Sequence, residues 1–263
     1  MGTTTDMDAP DTSHYIEDVT VLLLAAGSGE RLGARRPKAF VGLGGEVLLA
    51  HSLRSFEAHE AVDGIIIVAP ADWIDPVEVM LDDLGCDRVA AVVPGGASRA
   101  ESLRCGMEYV RPARSGAVLV HDAARPFVAE SVVDRVLAPL ADGVDCAVPV
   151  LEVPDTVKQV DAAGRVVTTL DRGELRLVQT PQCCRASSLA AALEGCDAAQ
   201  LAAATDDAAL IERWGGEVTC VQGDPLLRKV TTTADLAWAE AVLAPTRTED
   251  SSDHHDDGSD EEE

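Results

Sequence analysis

From residue 19 to residue 151 the chain alternates short runs of consecutive apolar residues with stretches whose apolar positions recur every three to four residues. The runs at 19–26, 64–69, 88–93, 117–120 and 145–151 are rich in Val, Ile and Leu and lack the polar alternation of a half-exposed strand, so they read as strands buried on both faces. Turn residues follow, and then helical periods in VLLAHSLRSFEAH (47–59), DPVEVMLDDLG (75–85), SRAESLRCGMEYV (98–110) and ESVVDRVLAPLAD (130–142). Repeated βα units of this kind predict an α/β, Rossmann-like fold: a mostly parallel, twisted sheet with helices on both faces.

That rhythm breaks over about 152–173. PDTVKQVDAAGRVVTTLDR (154–172) alternates polar and apolar residues around DAAG, the pattern of an extended β-hairpin. A projecting hairpin is marginal alone, so it is expected to be an arm exchanged between the subunits of a homodimer. Helical periods return at 184–196 and 205–216, a strand is expected at 217–223, and TTTADLAWAEAVLA (231–244) reads as a closing helix with a threonine cap. One domain is thus outlined over 18–245, preceded by an acidic extension at 1–17 and followed by an acidic tail at 246–263. The tail holds too few apolar residues to offset the entropy of ordering and is expected to be disordered.

Composition narrows the function classes. At 263 residues and 46% apolar content the chain can bury a sizeable core. No run approaches the ~18 consecutive apolar residues of a membrane span, and the acidic start lacks the basic-then-apolar plan of a signal peptide. A cytoplasmic location without membrane contact is therefore expected. Seven cysteines without a C-x-x-C pair suggest neither a disulfide framework nor a zinc site. A net charge of −25 argues against a nucleic acid polymer as partner, because backbone binding rests on clustered Lys and Arg. A small molecule is the expected partner.

Against that acidic background, LLLAAGSGERLGARRPKAF (22–40) is an exception, with Arg31, Arg35, Arg36 and Lys38 close together just past a glycine-rich break. Lys38, Lys158 and Lys229 are the only lysines in the sequence, too few to serve merely for solubility. A strand running into glycines lets backbone amides approach an anion, because no Cβ obstructs the turn or the ligand. The dinucleotide fingerprint G-x-G-x-x-G would need glycine where Leu32 stands, and no G-K-[ST] follows at the P-loop offset.

What remains is Leu24, Ala25, Ala26, Gly27, Gly29 and Arg31, followed by Pro37 and Lys38. This pattern resembles the L-A-A-G-x-G-x-R…P-K signature of the nucleotidyltransferases of the sugar-nucleotide pyrophosphorylase type. PGGASRAESLRCGM (94–107), VHDAARPFV (120–128), VPDTVK (153–158), TLDRGELRLVQTPQ (169–182) and TDDA (205–208) narrow it further. Together they are similar to the family of cytidylyltransferases that join CTP to 2-C-methyl-D-erythritol 4-phosphate in the non-mevalonate isoprenoid route, with matches from about residue 18 to 243.

The resemblance implies that the loop, Arg31 and Lys38 hold the triphosphate, and that Arg31, Lys38 and Lys229 are catalytic. It implies nucleotide binding by Leu24, Ala25, Ala26, Gly27, Gly29, Gly96, Arg99, Ser102 and Ala123, with Gly95 helping close approach to the base. It places Asp122, Arg125, Thr156, Arg172 and Thr180 on the acceptor side, Thr156 and Arg172 reaching a neighbouring subunit, and Mg²⁺ or another divalent cation on Asp122. Three positions depart from the family: Ala97 stands where an acidic residue is frequent, and Leu227 and Arg228 replace the usual Asn-Ile before Lys229.

The chemistry asks little of protein nucleophiles. A phosphate monoester has a second pKa near ~6, so at neutral pH it is largely a dianion that attacks directly. Positioning and fixed positive charge should then supply most of the acceleration. A related cytidylyltransferase acting on ribitol 5-phosphate is the nearest alternative, although LAAG and DAARP favour the methylerythritol phosphate. A nucleotide-sensing module without activity would be expected to have lost Lys38, Asp122 or Lys229, and all three are present.

Overall fold

The computed structural model describes residues 18–244 apart from 28, 30–35 and 113–115. Arg31, the N-terminal extension and the acidic tail lie outside the described residues. The chain begins with strand β1 (Val19–Leu24), a short hairpin of β2 (Gly42–Leu43) and β3 (Glu46–Val47), helix α1 (Leu48–Glu57), β4 (Gly64–Ala69), α2 (Ile74–Leu84), β5 (Val89–Pro94) and α3 (Arg99–Met107). It continues through β6 (Ala117–Asp122), α4 (Glu130–Ala141), β7 (Cys146–Glu152), the arm strands β8 (Lys158–Val160) and β9 (Val166–Thr169), β10 (Arg176–Val178) and β11 (Gln182–Arg185). Helices α5 (Ala186–Glu194), α6 (Ala198–Ala203) and α7 (Ala208–Trp214), strand β12 (Val218–Gln222) and helix α8 (Thr233–Leu243) complete it.

Eight strands form one sheet in which β5, β4, β1 and β6 are parallel neighbours, and β12 runs parallel to β7. The continuous apolar runs are explained by helices on both faces. Val19, Val21 and Leu23 of β1 and Ile65 and Ile67 of β4 pack against Leu53, Phe56, Val77 and Val136. Their neighbours Leu22, Ile66 and Val68 face the opposite layer with Leu103, Leu189 and Ile211. The expected Rossmann-like architecture is what the strands build.

Sequence periodicity misplaced one segment. The helix expected over 184–196 starts only at Ala186, because residues 182–185 form β11, inserted antiparallel between β6 and β7. Cys183 and Cys184 are fully buried there, and two consecutive small apolar side chains between Gln182 and Arg185 give no alternation along the strand. β10 and β11 lie along the same side of β7, separated by residues 179–181, where the Thr180–Pro181 bond is cis. The short β2–β3 hairpin and α6 also had no periodic signal of useful length.

The arm is the predicted hairpin. β8 and β9 pair antiparallel around a turn whose Gly164 has φ +77°, and Leu170 N–H donates to Val157 O at 3.0 Å to prolong the ladder. Val160, Val166 and Val167 are exposed by 53%, 60% and 63%. The closing helix has the expected threonine cap, as Thr232 accepts from Asp235 N–H.

Helix α3 sits close on the sheet because Gly106 has no side chain. A Cβ there would lie 2.9 Å from Val68 Cγ2 and 3.3 Å from Leu22 Cδ2. Gly106→Val is expected to lower the unfolding free energy by about 1–3 kcal/mol through overpacking. In urea titration this reads as an earlier midpoint at constant slope; an unchanged midpoint would mean that α3 can ride outward without cost.

Candidate active site

The C-terminal ends of β1, β5 and β6 open onto a cleft of about 330 Å³ lined by Leu24, Ala25, Ala26, Gly27, Gly96, Arg99, Ser102, Lys38, Asp122 and Lys229. Open α/β sheets bind ligands at this edge because strands end there and loops diverge. Two glycine loops form the walls. Gly29 has φ +74°, and a Cβ on it would meet Lys38 N at 2.9 Å. Lys38 N–H donates to Gly27 O at 3.1 Å, so the first loop folds directly over the lysine. In the second loop a Cβ on Gly95 would fall 2.6 Å from Ala26 Cβ, which ties the two loops together. Ser102 is buried beneath it: its hydroxyl accepts from Gly96 N–H at 3.2 Å and donates to Ser98 O at 2.9 Å.

Asp122 ends β6 and is the carboxylate around which the cations gather. Its Oδ1 accepts from Arg99 Nε at 3.0 Å, its Oδ2 from Lys229 Nζ at 2.7 Å, and Arg125 Nε stands 3.9 Å from Oδ2. Burial opposes the charge on this carboxylate, but Arg99, Lys229 and Arg125 outweigh it and hold its pKa far below the usual range. Burial also depresses the Arg125 guanidinium, with Asp122 acting the other way. On Arg99 burial is overcome by Asp207 and Asp122, and the net shift is upward.

A second pocket of about 320 Å³ adjoins the first and shares Arg99, Asp122 and Lys229 with it, adding Arg125, Gln179, Thr180 and Gln182. His121 orients this wall. Its Nε2 lies 3.1 Å from the Arg125 carbonyl, which can only accept, so Nε2 carries the proton. Nδ1 then accepts from the Thr180 hydroxyl at 3.1 Å, and Thr180 Oγ1 in turn accepts from Asp122 N–H at 3.1 Å. Burial pushes the His121 pKa down to about 4, which keeps the ring neutral at neutral pH.

Lys229 reaches the cleft from the segment before α8. Val230 N–H donates to Ala124 O at 2.8 Å, and Asp235 gathers the backbone and hydroxyl groups of Thr231 and Thr232 on Oδ2. The departures before Lys229 are accommodated: Leu227 is buried, while Arg228 donates to Asp235 at 2.6 Å and lies 5.5 Å from the Trp238 ring centroid.

The cleft thus brings together Lys38, Arg99, Asp122 and Lys229, and the adjoining pocket brings in Arg125 and Thr180. Gly29 and Ala123 lie off both linings: Gly29 packs against the backbone of Lys38, while Ala123 is buried in the core and Ala124 lines the cleft instead. The reason is the turn that follows β6, in which Arg125 N–H donates back to Asp122 O at 2.9 Å. Thr156 and Arg172 are exposed on the arm and line neither pocket; Arg172 donates to Pro154 O. Asp207 was missed, although it grips Arg99, and so was Gln182, which accepts from Asp207 and Ala208 N–H at 3.0 Å. TDDA and TPQ were the available signals. Among the described residues no cluster of three acidic, His or Cys side chains could hold a metal by itself. Asp122 is the lone carboxylate facing the cleft, and both its oxygens already accept from Arg99 and Lys229, so a divalent cation there would have to draw its remaining ligands from substrate phosphates.

The profile of the 2-C-methyl-D-erythritol 4-phosphate cytidylyltransferase family matches residues 19–245. A protein of that name from Saccharopolyspora erythraea is 48% identical over 229 residues, covering 86% of this chain and 99% of its own. One from Nocardia farcinica is 44% identical over 225 residues, covering 86% and 94%. Among solved structures, the 4-diphosphocytidyl-2C-methyl-D-erythritol synthase of Anaerococcus prevotii superposes with a TM-score of 0.74 at 28% identity, covering 87% of this chain and 99% of its own. The cytidylyltransferase of Thermus thermophilus gives 0.65 at 32%, covering 86% and 98%.

Asp122 makes the cluster of cations tolerable to the fold. Because its folded pKa is depressed, its contribution is complete above the unfolded value of about 4 and is lost as pH falls through the folded value. Asp122→Asn is expected to cost about 3 kcal/mol at neutral pH, the low end for breaking a buried pair, since Lys229 keeps 34% of its side chain in solvent. Urea titrations should give a constant difference from wild type between about pH 8 and about pH 5, narrowing only below about pH 4. A difference that closes between pH 7 and 5 would contradict the assignment.

Proposed function

The chain belongs to the 2-C-methyl-D-erythritol 4-phosphate cytidylyltransferase family and joins CTP to 2-C-methyl-D-erythritol 4-phosphate with release of pyrophosphate in isoprenoid synthesis, and we propose that it does so by steering one phosphate onto another between fixed cations, with no covalent protein intermediate. The observation that carries this reading is the pair of adjoining pockets that share Arg99, Asp122 and Lys229. Each pocket takes one substrate, and the shared residues mark the boundary where the acceptor phosphate meets the α-phosphorus of CTP.

The nucleotide lies in the cleft formed by Leu24, Ala25, Ala26, Gly27 and Gly96, whose backbone and small side chains allow close approach. Lys38 and Lys229, together with Arg31, stabilise the charge that builds on the α-phosphate and on the departing pyrophosphate. Asp122 would hold a divalent cation, whose chemistry there is to neutralise phosphate oxygens. Arg125 and Thr180 receive the acceptor. Thr180 spends its proton on His121 and one lone pair on Asp122 N–H, so what it has left to offer is an acceptor site for a substrate hydroxyl. The acceptor's dianion attacks without a general base.

The arm completes the acceptor site of a second subunit in a homodimer. Its exposed valines supply apolar contact area, and Thr156 and Arg172, which line neither of the two adjoining pockets of their own subunit, reach the neighbour's. Arg172 is suited to a bidentate grip on phosphate. Among the described residues no helix is long and apolar enough to cross a membrane.

Pyrophosphate release from CTP is expected with the methylerythritol phosphate and to be weak with ribitol 5-phosphate. Lys38→Met should lower kcat about 100-fold or more while changing the Kd for CTP far less, as expected for a cation acting mainly in the transition state. Near-normal turnover would remove Lys38 from its role. Val167→Asp should convert dimer to monomer in light scattering and lower kcat/KM about tenfold through loss of the neighbour's Arg172. An intact dimer, or a fully active monomer, would rule out the shared site.

A further inference from the structure

Asp207 lines neither pocket itself, yet its carboxylate makes a two-pronged contact with Arg99, which lines both. Its carboxylate has no exposed surface, and Oδ1 and Oδ2 accept from the two terminal nitrogens of Arg99 at 2.7 and 2.9 Å. With Arg99 Nε on Asp122, all three nitrogens of the guanidinium are tied to carboxylates and its plane is fixed. One N–H on each terminal nitrogen is left over, on a side chain that lines both pockets.

An aspartate at this position has an ordinary alternative use. Asp207 is the N-cap residue of α7, where a carboxylate would normally accept from the first amides of the helix. It makes no such bond. Gln182 Oε1 accepts from Asp207 and Ala208 N–H, and Asp206 Oδ1 accepts from Ala209 N–H at 3.0 Å, so the helix start is satisfied by its neighbours. The Asp207 carboxylate is thereby released from the backbone and given entirely to Arg99.

Charge gives the second half of the case. Without Asp207, Asp122 would be the sole counter-ion of Arg99 and would also have to serve Lys229 and Arg125. A carboxylate drawn toward the guanidinium would loosen Lys229 from the boundary between the pockets. The tie also runs across the site, because Gln182, which fixes the Asp207 backbone, begins the strand that directly follows Thr180 and Pro181.

We propose that Asp207 is a positioning residue for nucleotide binding: it holds the Arg99 guanidinium at the boundary of the two pockets and supplies its counter-charge, leaving Asp122 to Lys229. The proposal rests on the reading that Arg99 contacts CTP.

Calorimetric titration of the whole protein with CTP, together with steady-state kinetics, tests it in four forms: wild type, Asp207→Asn, Arg99→Ala and the double variant. Asp207→Asn should weaken CTP binding about tenfold, in the range for losing a hydrogen bond between charged groups, while KM for the methylerythritol phosphate moves less than about twofold. In the Arg99→Ala background the same change should add nothing beyond about twofold, since a residue acting through Arg99 has nothing left to position. Multiplicative losses in the double variant would show that Asp207 acts by another route and would overturn the proposal, as would wild-type CTP affinity in Asp207→Asn. Should Arg99→Ala itself bind CTP normally, the contact between Arg99 and nucleotide fails and the proposal falls with it, whereas a weakened Arg99→Ala beside a normal Asp207→Asn sinks the proposal alone. If Asp207→Asn does not fold, Arg99→Lys, which keeps the charge but not the fork, should show the same CTP deficit with the acceptor KM unchanged; normal CTP binding there is an overturning result.

Discussion

One buried carboxylate, Asp122, organises the site, because it is what allows Arg99, Arg125 and Lys229 to stand within a few ångströms of one another. Cations brought that close repel strongly in a low-dielectric setting. A carboxylate at the centre turns the repulsion into mutual attraction and fixes where each positive group sits before any substrate arrives. Preorganisation of this kind is what phosphoryl and nucleotidyl transfer demands, since reorienting charge during the reaction would cost much of what the charge contributes. Asp207 continues the same logic one layer deeper, balancing Arg99 from behind.

Backbone structure puts that carboxylate where it is useful. β6 is buried along its whole length and bonded on both sides, so its last residue is held by β1 and by the Thr180 segment that leads into β11. The antiparallel insertion of β11 has a consequence for the site: it sets Gln182 level with Val120 and is led into by Thr180, which accepts from Asp122 N–H, so both side chains line the second pocket beside the C-terminal end of β6. A purely parallel sheet would leave that side open. His121, fully buried, then fixes the Thr180 hydroxyl by a tautomer that the Arg125 carbonyl imposes.

Much of this was legible in the sequence, for separable reasons. Strands β1, β4, β6 and β7 announced themselves because both faces are covered and the apolar runs are unbroken, and the edge strand β5, only partly buried, kept the same apolar run. The glycine loop and Lys38 were legible because glycine and lysine are there for local reasons, a turn and an anion, that leave a mark in adjacent residues. β11 was not, since Cys183 and Cys184 mark no face by themselves. Asp207 was hidden for a different reason: it pairs with a residue 108 positions away, and one aspartate among 46 acidic residues carries no local signature. Ala123 was assigned by its place in a motif, and only the turn after β6 shows that its neighbour Ala124 faces the cleft. Patterns set by near neighbours can be read along the chain, whereas ion pairs are decided by the fold.

The overall charge of −25 and the cationic cleft then belong to one account rather than two. Both substrates are anions, so a chain this acidic repels them at long range, yet at physiological ionic strength that field decays over about 8 Å. Inside the cleft the balance is local: Lys38, Arg99 and Lys229 line it, and Asp122 is the acid facing them. Screening therefore suppresses the repulsive far field while leaving the partly buried near field largely intact. Selectivity for phosphates follows from placing two of the chain's three lysines at this one site, Lys158 lying on the arm, and from surrounding it with carboxylates that elsewhere offer an anion no foothold.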